Sequence, residues 1–359
     1  MSPLSWLDNI LIMVAVTRGS FVRAMIASTS TLSTSPMSRQ EVWSSTQASY
    51  APAATFVRQE IATVLRTQNP QLAGSMLRLA FHDAAVRSVA SDPRIGGADG
   101  SVRYELDWPE NRGLGKPLRV VQDIYDLQRE KFDGECPAVP AGNTPTNNAD
   151  CRSLSFADTL ALAGAASVEA ALGPAIRIRM GRADTNSSDQ RFLDAPIRTD
   201  KNAPLGDRSV IDRSLPSPAL DSLGLRLYFR RLGMTDAEFV ALSGAHDLGR
   251  HVTLTGMPKP CLRNLTRQCL EEAPVLAPFV AADPDTFSHR YFLALLRWND
   301  RRLEYGEAAF LPTDVALVVD GRLRRFVVRF AKDEELFFRT FRRAYQKLVD
   351  STATSKERF

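Results

Sequence analysis

Residues 77–86 read Leu-Arg-Leu-Ala-Phe-His-Asp-Ala-Ala-Val, an apolar stretch that carries one arginine, Arg78, and one histidine, His82. In a helix these two side chains lie at positions i and i+4, so they leave the same face about one turn apart. A guanidinium group disfavours protonation of a neighbouring imidazole, and a neutral imidazole can act as a base. The pair predicts either a proton-transfer site or a core helix with a satisfied histidine, and this stretch alone favours the core helix.

The composition of the chain limits the kinds of protein that it can be. Of its 359 residues, 44% are hydrophobic, which is enough for one large domain or two of ordinary size. The formal net charge of +4 is too small a surplus for the dense basic face that nucleic acids require. No stretch has the length and hydrophobicity of a transmembrane helix. We therefore expect a folded protein with no nucleic-acid partner and no membrane span.

Residues 1–48 have the composition of a targeting segment. They contain two acidic residues, Asp8 and Glu41, several arginines, and a run from Ser28 to Ser38 that is almost entirely Ser, Thr, Leu and Pro. The apolar run 10–16 is too short to span a bilayer, although it could be the core of a signal peptide. We expect a transit segment that is removed or disordered, with the chloroplast favoured over the mitochondrion.

Apolar residues recur at helical spacing through the rest of the chain. Ser155 is a plausible N-cap for an Ala-rich helix, with Asp158 at its third position, and Thr235 is a plausible cap for another. There is no internal repeat and no long alternating strand pattern. The sequence predicts a mostly helical domain over residues 52–350, followed by a short tail at 351–359. The expected helices cover residues 117–132, 155–171, 220–232, 236–243, 288–298, 312–318 and 332–348.

Histidine and cysteine are both scarce, with four of each. His82 and His246 lie in apolar helices far apart in sequence, which is how two histidines come to face each other across a buried cofactor. His251 and His289 are interpreted as structural or surface residues. The cysteines fall into two local pairs, which are compatible with two disulfides or with four free thiols. They are Cys136, Cys151, Cys261 and Cys269.

Seven separated motifs follow one another along the chain: LRLAFHD (77–83), GGADGSVR (96–103), PENRGL (109–114), SFADTLALAG (155–164), GRAD (181–184), ALSGAHDLGR (241–250) and LPTDVAL (311–317). In this order they resemble the plant-type haem peroxidase superfamily over residues 53–348. The resemblance combines features of its intracellular, ascorbate-peroxidase-like class with features of its secreted classes. It implies an all-α fold with minor β structure, in which lobes of about residues 52–180 and 181–350 enclose haem b. It also implies a peroxidase that reduces hydrogen peroxide to water with one-electron donors.

The resemblance places the 77–86 stretch on the distal side of the haem, where peroxide binds. It makes His82 the acid/base that moves a proton from one peroxide oxygen to the other, and Arg78 the group that stabilises the developing charge. Asn111 matches the residue that accepts the His82 ring N–H and fixes its tautomer, and Glu105 matches the acidic residue that orients this asparagine. Phe81 matches the aromatic residue that stacks over the haem.

On the proximal side, where the iron is held, His246 matches the axial ligand and Phe279 matches the neighbouring aromatic residue. The family's Phe-Asp-Asn motif is matched to Phe287-Ser288-His289, so a serine stands where an aspartate is expected to accept the ligand's ring N–H. A serine is the weaker acceptor. The iron's oxidised state would then be less stabilised, unless Asp285 or another carboxylate compensates.

The secreted classes also suggest a calcium site on the distal side. Carboxylate, hydroxyl and carbonyl oxygens on a Gly-rich loop suit a hard cation. The alternative is that Asp83 caps a helix and Asp99 belongs to an ordinary turn. Asp247 and Asp283 are candidates for a proximal cation site, for which a surface role is preferred. The proposed distal ligands are Asp83, Val86, Gly97, Asp99 and Ser101.

The electron donor is left open among ascorbate, a c-type cytochrome and phenols, that is, a small molecule or a redox protein. Leu254 and Thr255 stand where ascorbate peroxidases have an arginine, so ascorbate specificity is not expected. A rival hypothesis is a non-catalytic, peroxidase-like structural or interaction protein of an organelle. Ser288 favours this rival, whereas the distal residues and His246 favour the enzyme.

Overall fold

The computed structural model describes residues 39–86, 96–133, 153–186, 215–216, 220–252, 276–304 and 306–350. These residues form ten α-helices and a two-stranded antiparallel sheet, which confirms the all-α prediction with minor β structure. The four cysteines, residues 1–38 and the tail 351–359 lie outside the described ranges. No described helix has the length and hydrophobicity needed to cross a membrane.

The first four helices are α1 (Arg39–Thr67), α2 (Leu72–Ala85), α3 (Gly115–Phe132) and α4 (Phe156–Ala170). The others are α5 (Ser222–Arg231), α6 (Asp236–Ser243), α7 (Arg290–Asn299), α8 (Pro312–Val319), α9 (Gly321–Lys332) and α10 (Glu334–Asp350). Strands β1 (Arg250–Val252) and β2 (Leu276–Pro278) pair so that His251 lies opposite Ala277.

The Ala-rich helix α4 is the centre of the first half of the fold. Its start is fixed as predicted, because the Ser155 side chain accepts a hydrogen bond from the Asp158 N–H at 3.0 Å. The Asp184 carboxylate accepts two further N–H groups of this first turn. Helices α1, α2 and α3 all pack on α4. Gly164 allows a close approach, since a Cβ there would lie 2.2 Å from the Tyr345 hydroxyl oxygen on α10 and 2.7 Å from the Cβ of Ala80 on α2.

Helix α2 also touches the segment that follows α6. This segment is a 3-10 turn, Gly244–Asp247, which contains His246. The two elements meet at Gly74, where an added Cβ would lie 2.3 Å from the Leu248 carbonyl oxygen. The contact places the helix of Arg78 and His82 directly against the turn of His246.

A buried ionic network joins α4 to α10. The Arg182 guanidinium contacts Asp158 on α4 at 2.8 Å and Asp350 at the end of α10 at 2.8 Å. Both Arg182 and Asp158 have side chains that are 1% exposed. A buried charge requires such a partner, because the protein interior solvates an isolated ion poorly. The network therefore anchors the last helix to the centre of the fold.

The sequence predictions differ from the structure in two places. Helix α9 was not among the expected helices, although Leu323, Val327 and Phe330 are buried at helical spacing. Helix α1 begins at Arg39, inside the segment assigned to targeting.

Candidate active site

Helix α2 presents Arg78, Phe81 and His82 toward the turns that follow it. Arg78 is held by two backbone carbonyls, donating to Glu110 O at 2.6 Å and to Arg112 O at 3.0 Å. Its Nε–H donates to His82 Nε2 at 3.2 Å. Phe81 and His82 are both half-buried, as groups that line an accessible recess would be. The i, i+4 pair predicted from the sequence is therefore in direct contact.

The other ring nitrogen of His82 is fixed by Asn111. His82 Nδ1 lies 2.8 Å from Asn111 Oδ1, and Asn111 Nδ2 donates to the backbone carbonyl of Glu105 at 2.9 Å. Because the amide nitrogen is engaged as a donor, the amide oxygen must accept the Nδ1–H of His82. The proton of the neutral ring therefore resides on Nδ1, and Nε2 is the basic nitrogen.

The role expected of Glu105 is corrected by this geometry. Its backbone carbonyl, rather than its carboxylate, orients Asn111. A main-chain carbonyl is available from any residue at this place, so the acidic side chain is not needed for the contact. The carboxylate is instead one of two negative charges, with Asp99, that raise the pKa of Asp83.

Electrostatics keep the two distal groups in complementary protonation states. Burial and the Arg78 charge lower the pKa of His82 to about 3, against a smaller opposing effect of the Asn111 hydrogen bond. Burial and the nearby Arg112 lower the pKa of Arg78 to about 10. At neutral pH the site thus holds a neutral imidazole beside a guanidinium that stays charged.

The second histidine is anchored to a buried carboxylate. His246 Nδ1 lies 2.7 Å from Asp314 Oδ1, and Asp314 is 1% exposed at the start of α8. The phenol of Tyr291 on α7 donates to the same oxygen at 2.6 Å. Phe279 stacks on the imidazole, with ring centroids 3.9 Å apart and planes inclined by 12°. Since Nδ1 is engaged, Nε2 is the ring atom that can ligate a metal.

The predicted role of Ser288 was wrong. Ser288 contacts Asp247 rather than His246, donating to Asp247 Oδ2 from its N–H at 2.7 Å and from its hydroxyl at 3.0 Å. Asp247 also accepts the Tyr291 N–H, so this buried carboxylate caps the start of α7. Asp314 supplies the carboxylate for His246, and Asp285 instead pairs with Arg250. The sequence carried the signal, because Asp314 is the acidic residue of the LPTDVAL motif.

The residues proposed for calcium lie together. Asp83 accepts the N–H groups of Gly100 and Val102, and Asp99 accepts the N–H of Ser101. The carbonyls of Val86 and Gly97 accept backbone N–H groups at 2.5 and 2.8 Å. Burial, and then the charge of Asp99, raise the pKa of Asp83 well above its usual range. The described residues contain no cluster of three or more His, Cys, Asp or Glu side chains arranged to bind a metal.

The remaining predicted residues have structural contacts. His251 is bonded to the Ala309 carbonyl at 2.6 Å and tilts against Phe279. The His289 N–H donates to Glu334 Oε1 at 3.2 Å. Asp283 is exposed and pairs with Arg290. Leu254 and Thr255 lie outside the described ranges. The sequence interpretation missed two residues of the proximal cluster, Asp314 and Tyr291.

The two histidine sites together define a haem peroxidase. Helix α2 and its neighbouring turn hold an arginine–histidine–asparagine set, and α2 packs on the turn that holds a carboxylate-anchored histidine. Histidine is the donor that haem iron takes. The sequence model of the family described as Peroxidase matches residues 57–333, and the chain belongs to that family. It is a haem-dependent enzyme that reduces hydrogen peroxide with one-electron donors.

Similarity to individual proteins agrees with this assignment. L-ascorbate peroxidase 5, peroxisomal, from Arabidopsis thaliana is 29% identical over 306 residues, covering 84% of each chain. A protein of Oryza sativa subsp. japonica, named as a candidate chloroplastic L-ascorbate peroxidase 8, is 29% identical over 84% of this chain and 54% of its own. A Cryptococcus neoformans protein, named as a candidate heme-binding peroxidase, is 34% identical over 55% of this chain and 53% of its own.

Proposed function

We propose that Arg78, His82 and Asn111 carry out the peroxide chemistry of this enzyme and that His246 is the axial ligand of its haem b. The observation that carries this proposal is the Asn111–His82–Arg78 chain of hydrogen bonds, at 2.8 and 3.2 Å. It gives His82 one defined tautomer and aims the basic Nε2 at the accessible side of α2. Such a chain has no evident use in a helix that serves packing alone.

The chemistry assigned to the protein follows from these positions. Hydrogen peroxide displaces the Arg78 Nε–H from His82 Nε2 and gives that nitrogen its own proton. The Arg78 guanidinium stays charged and stabilises the negative charge on the peroxide oxygens. His82 then returns the proton to the leaving oxygen, which departs as water. Asn111 holds the Nδ1–H throughout, so the imidazole does not rotate.

The proximal residues fit a haem ligand. The His246 side chain keeps 32% of its surface exposed although it is fixed by Asp314 and stacked on Phe279. Haem supplies redox-active iron for the two-electron reduction of peroxide and the stepwise return of electrons. In this proposal Phe81 covers the distal face and Phe279 supports the proximal histidine. Asp314 orients the ligand ring and makes it electron-rich.

The geometry favours the enzyme over a non-catalytic relative. The rival hypothesis rested on Ser288 as a poor acceptor for His246. Asp314, buried and 2.7 Å from His246 Nδ1, removes that argument.

We also infer that the donor is a small molecule. Phe279, the ring stacked on His246, has no group that is easily oxidised, and the phenol of Tyr291 beside the imidazole is fully buried and hydrogen-bonded to Asp314, away from a protein docked on the surface. Direct oxidation at the cofactor suits a small donor. The names of two plant relatives make ascorbate the first candidate, although Thr255 stands where ascorbate peroxidases have an arginine.

A donor comparison tests this inference. The haem-loaded protein is mixed with hydrogen peroxide and then with ascorbate, guaiacol or a reduced c-type cytochrome at equal concentrations. We expect turnover with at least one small donor and a much lower rate with the cytochrome. Faster oxidation of the cytochrome would contradict the small-molecule assignment. Failure of the protein to bind haemin would contradict the proposed function as a whole.

A calcium ion is proposed at Asp83, Val86, Gly97, Asp99 and Ser101. Support comes from Ser101, whose buried hydroxyl oxygen has no hydrogen-bond partner among the described residues. It also comes from the acidic residues around Asp83, whose mutual repulsion a divalent cation would relieve. The two carbonyls have a second lone pair available for a ligand.

Calcium is expected to stabilise the folded protein, because a ligand that binds only the native state adds RT ln(1 + [L]/Kd). This is about 2.7 kcal/mol at a hundredfold excess over Kd. The measurement is the thermal midpoint in EDTA and in calcium. Asp99→Asn should lose the response, whereas Asp123→Asn, a change of an exposed residue on α3, should keep it. An equal response in both variants would rule out this site.

The proposed location is an organelle. The composition of residues 1–48 favours the chloroplast, and relatives are named for the peroxisome and the chloroplast. Fractionation of cells that express the tagged chain would decide between these compartments.

A further inference from the structure

Tyr291 and His246 bond to the same oxygen atom. The Tyr291 hydroxyl donates to Asp314 Oδ1 at 2.6 Å, and His246 Nδ1 lies 2.7 Å from that oxygen. The other carboxylate oxygen, Oδ2, accepts the Leu311 N–H at 2.8 Å at the start of α8. The imidazole of His246 therefore shares its acceptor oxygen with the Tyr291 hydroxyl.

The phenol of Tyr291 is placed to donate to Asp314. Tyr291 is fully buried, and its hydroxyl lies 2.6 Å from Asp314 Oδ1. The ring also contacts His246, with a centroid 5.9 Å from that of the imidazole and a plane inclined by 89°. The hydroxyl thus donates to the same oxygen atom that His246 Nδ1 contacts.

When two donors share one acceptor atom, each of the two hydrogen bonds is weaker than it would be alone. A carboxylate oxygen that receives a strong O–H donor has less negative charge to offer a second donor. The Nδ1–H of His246 is then held less strongly, and the ring keeps less anionic character. A less anionic imidazole donates less electron density to iron. This disfavours the oxidised state of the metal and raises the reduction potential of the iron.

We propose that Tyr291 is a positioning residue that limits how strongly Asp314 activates His246, and thereby sets the electron density of the haem iron. The inference rests on the proposed function in one respect, the assignment of His246 as axial ligand. Tyr291 acts entirely through Asp314 and His246, so its effect belongs to the reduction potential rather than to peroxide cleavage.

The test is the Tyr291→Phe variant of the haem-loaded protein. This substitution removes one oxygen atom and keeps the ring, so packing against Phe292 and Phe310 is retained. We expect the Fe(III)/Fe(II) potential to fall and the iron–histidine stretching frequency of the reduced protein to rise. Both follow from a stronger bond between His246 and Asp314.

Tyr345→Phe is the matched control. Tyr345 is also fully buried and donates its hydroxyl at 2.8 Å, but to the Ala161 carbonyl on α4, away from the proximal cluster. Its removal should change stability without moving the potential. A purely structural role for Tyr291 predicts the same behaviour in both variants and would overturn the proposal.

A second measurement changes the acidity of the phenol and keeps Tyr291 in place. Replacing the tyrosines by 3-fluorotyrosine makes each phenol a stronger donor, so the potential should rise, opposite to Tyr291→Phe. In the Tyr291→Phe background the fluorinated protein should show no rise, and a rise there would contradict the assignment. The iron–histidine band itself tests the ligand. Its loss in His246→Ala supports the axial role, whereas its persistence in that variant would overturn the ligand assignment.

Discussion

Replacement of His82 by leucine is expected to slow the reaction with hydrogen peroxide by about 10²–10⁴-fold, the usual contribution of general acid–base catalysis. The variant keeps Arg78 and its two carbonyl contacts but has no atom that can move the peroxide proton. Rapid mixing of the haem-loaded protein with peroxide, followed at the Soret band, gives the rate constant directly. His289→Leu is the matched control and should react at the wild-type rate.

The pH dependence provides an independent check of this role. The pKa of His82 is about 3, so the imidazole is neutral above that pH and becomes unable to accept a proton below it. The wild-type rate should stay constant from neutral pH downward and fall only near pH 3. Removing Arg78 with Arg78→Leu takes away one cause of the depressed pKa, and the fall should move to higher pH. Two results would refute the acid/base role of His82. One is a rate that remains high in His82→Leu, and the other is a fall of the rate at low pH that Arg78→Leu does not shift.

Arg182→Met is expected to destabilise the folded protein by about 3–5 kcal/mol, the cost of leaving one member of a buried ion pair without its partner. Asp158 is 1% exposed, and burial already raises its pKa despite the guanidinium. Without Arg182 the carboxyl group can remain buried only by taking up a proton. The same substitution also releases Asp350 and the end of α10.

Denaturant unfolding of wild type and variant measures this effect as a shift of the midpoint. Arg129→Met is the surface control, because the pair of Arg129 and Asp133 is exposed, and a change of about 0–1 kcal/mol is expected. The double variant Asp158→Asn/Arg182→Met should recover part of the loss, since no charge is then left in the interior. Equal effects of Arg182→Met and Arg129→Met would show that the buried network contributes no more to the free energy of unfolding than a surface ion pair.

The contact within one helix could be predicted from the sequence alone, whereas a contact across the chain could be predicted only where a family motif supplied both partners, as for His82 and Asn111. Arg78 and His82 are one helical turn apart, so their contact follows from the helix period. His246 and Asp314 are 68 residues apart, and nothing local states which carboxylate reaches the imidazole. The family motif assigned the contact with His246 to Ser288, which lies just before α7. In the structure the Ser288 hydroxyl donates to Asp247 instead.

The fold shows the same division. The Ala-rich composition of α4 and its Ser155 cap were sufficient to locate the central helix. Helix α9 was missed although its buried residues recur at helical spacing, because basic residues stand between them in the sequence. Likewise, the acidic side chain of Glu105 suggested a carboxylate contact with Asn111, although the backbone carbonyl of Glu105 accepts that hydrogen bond. Side-chain identity in the sequence does not reveal when the backbone of a residue is the functional group.

Asp247 caps α7 through the Ser288 and Tyr291 N–H groups, and it directly follows His246 in the chain. The proposed axial ligand is thus adjacent to the residue that caps a helix, and that helix carries Tyr291, whose hydroxyl bonds to the Asp314 carboxylate that anchors His246. Haem bound at His246 would therefore also stabilise α7, because a ligand that binds only the native state favours folding by mass action. Uptake of haem should then make the protein more resistant to proteolysis.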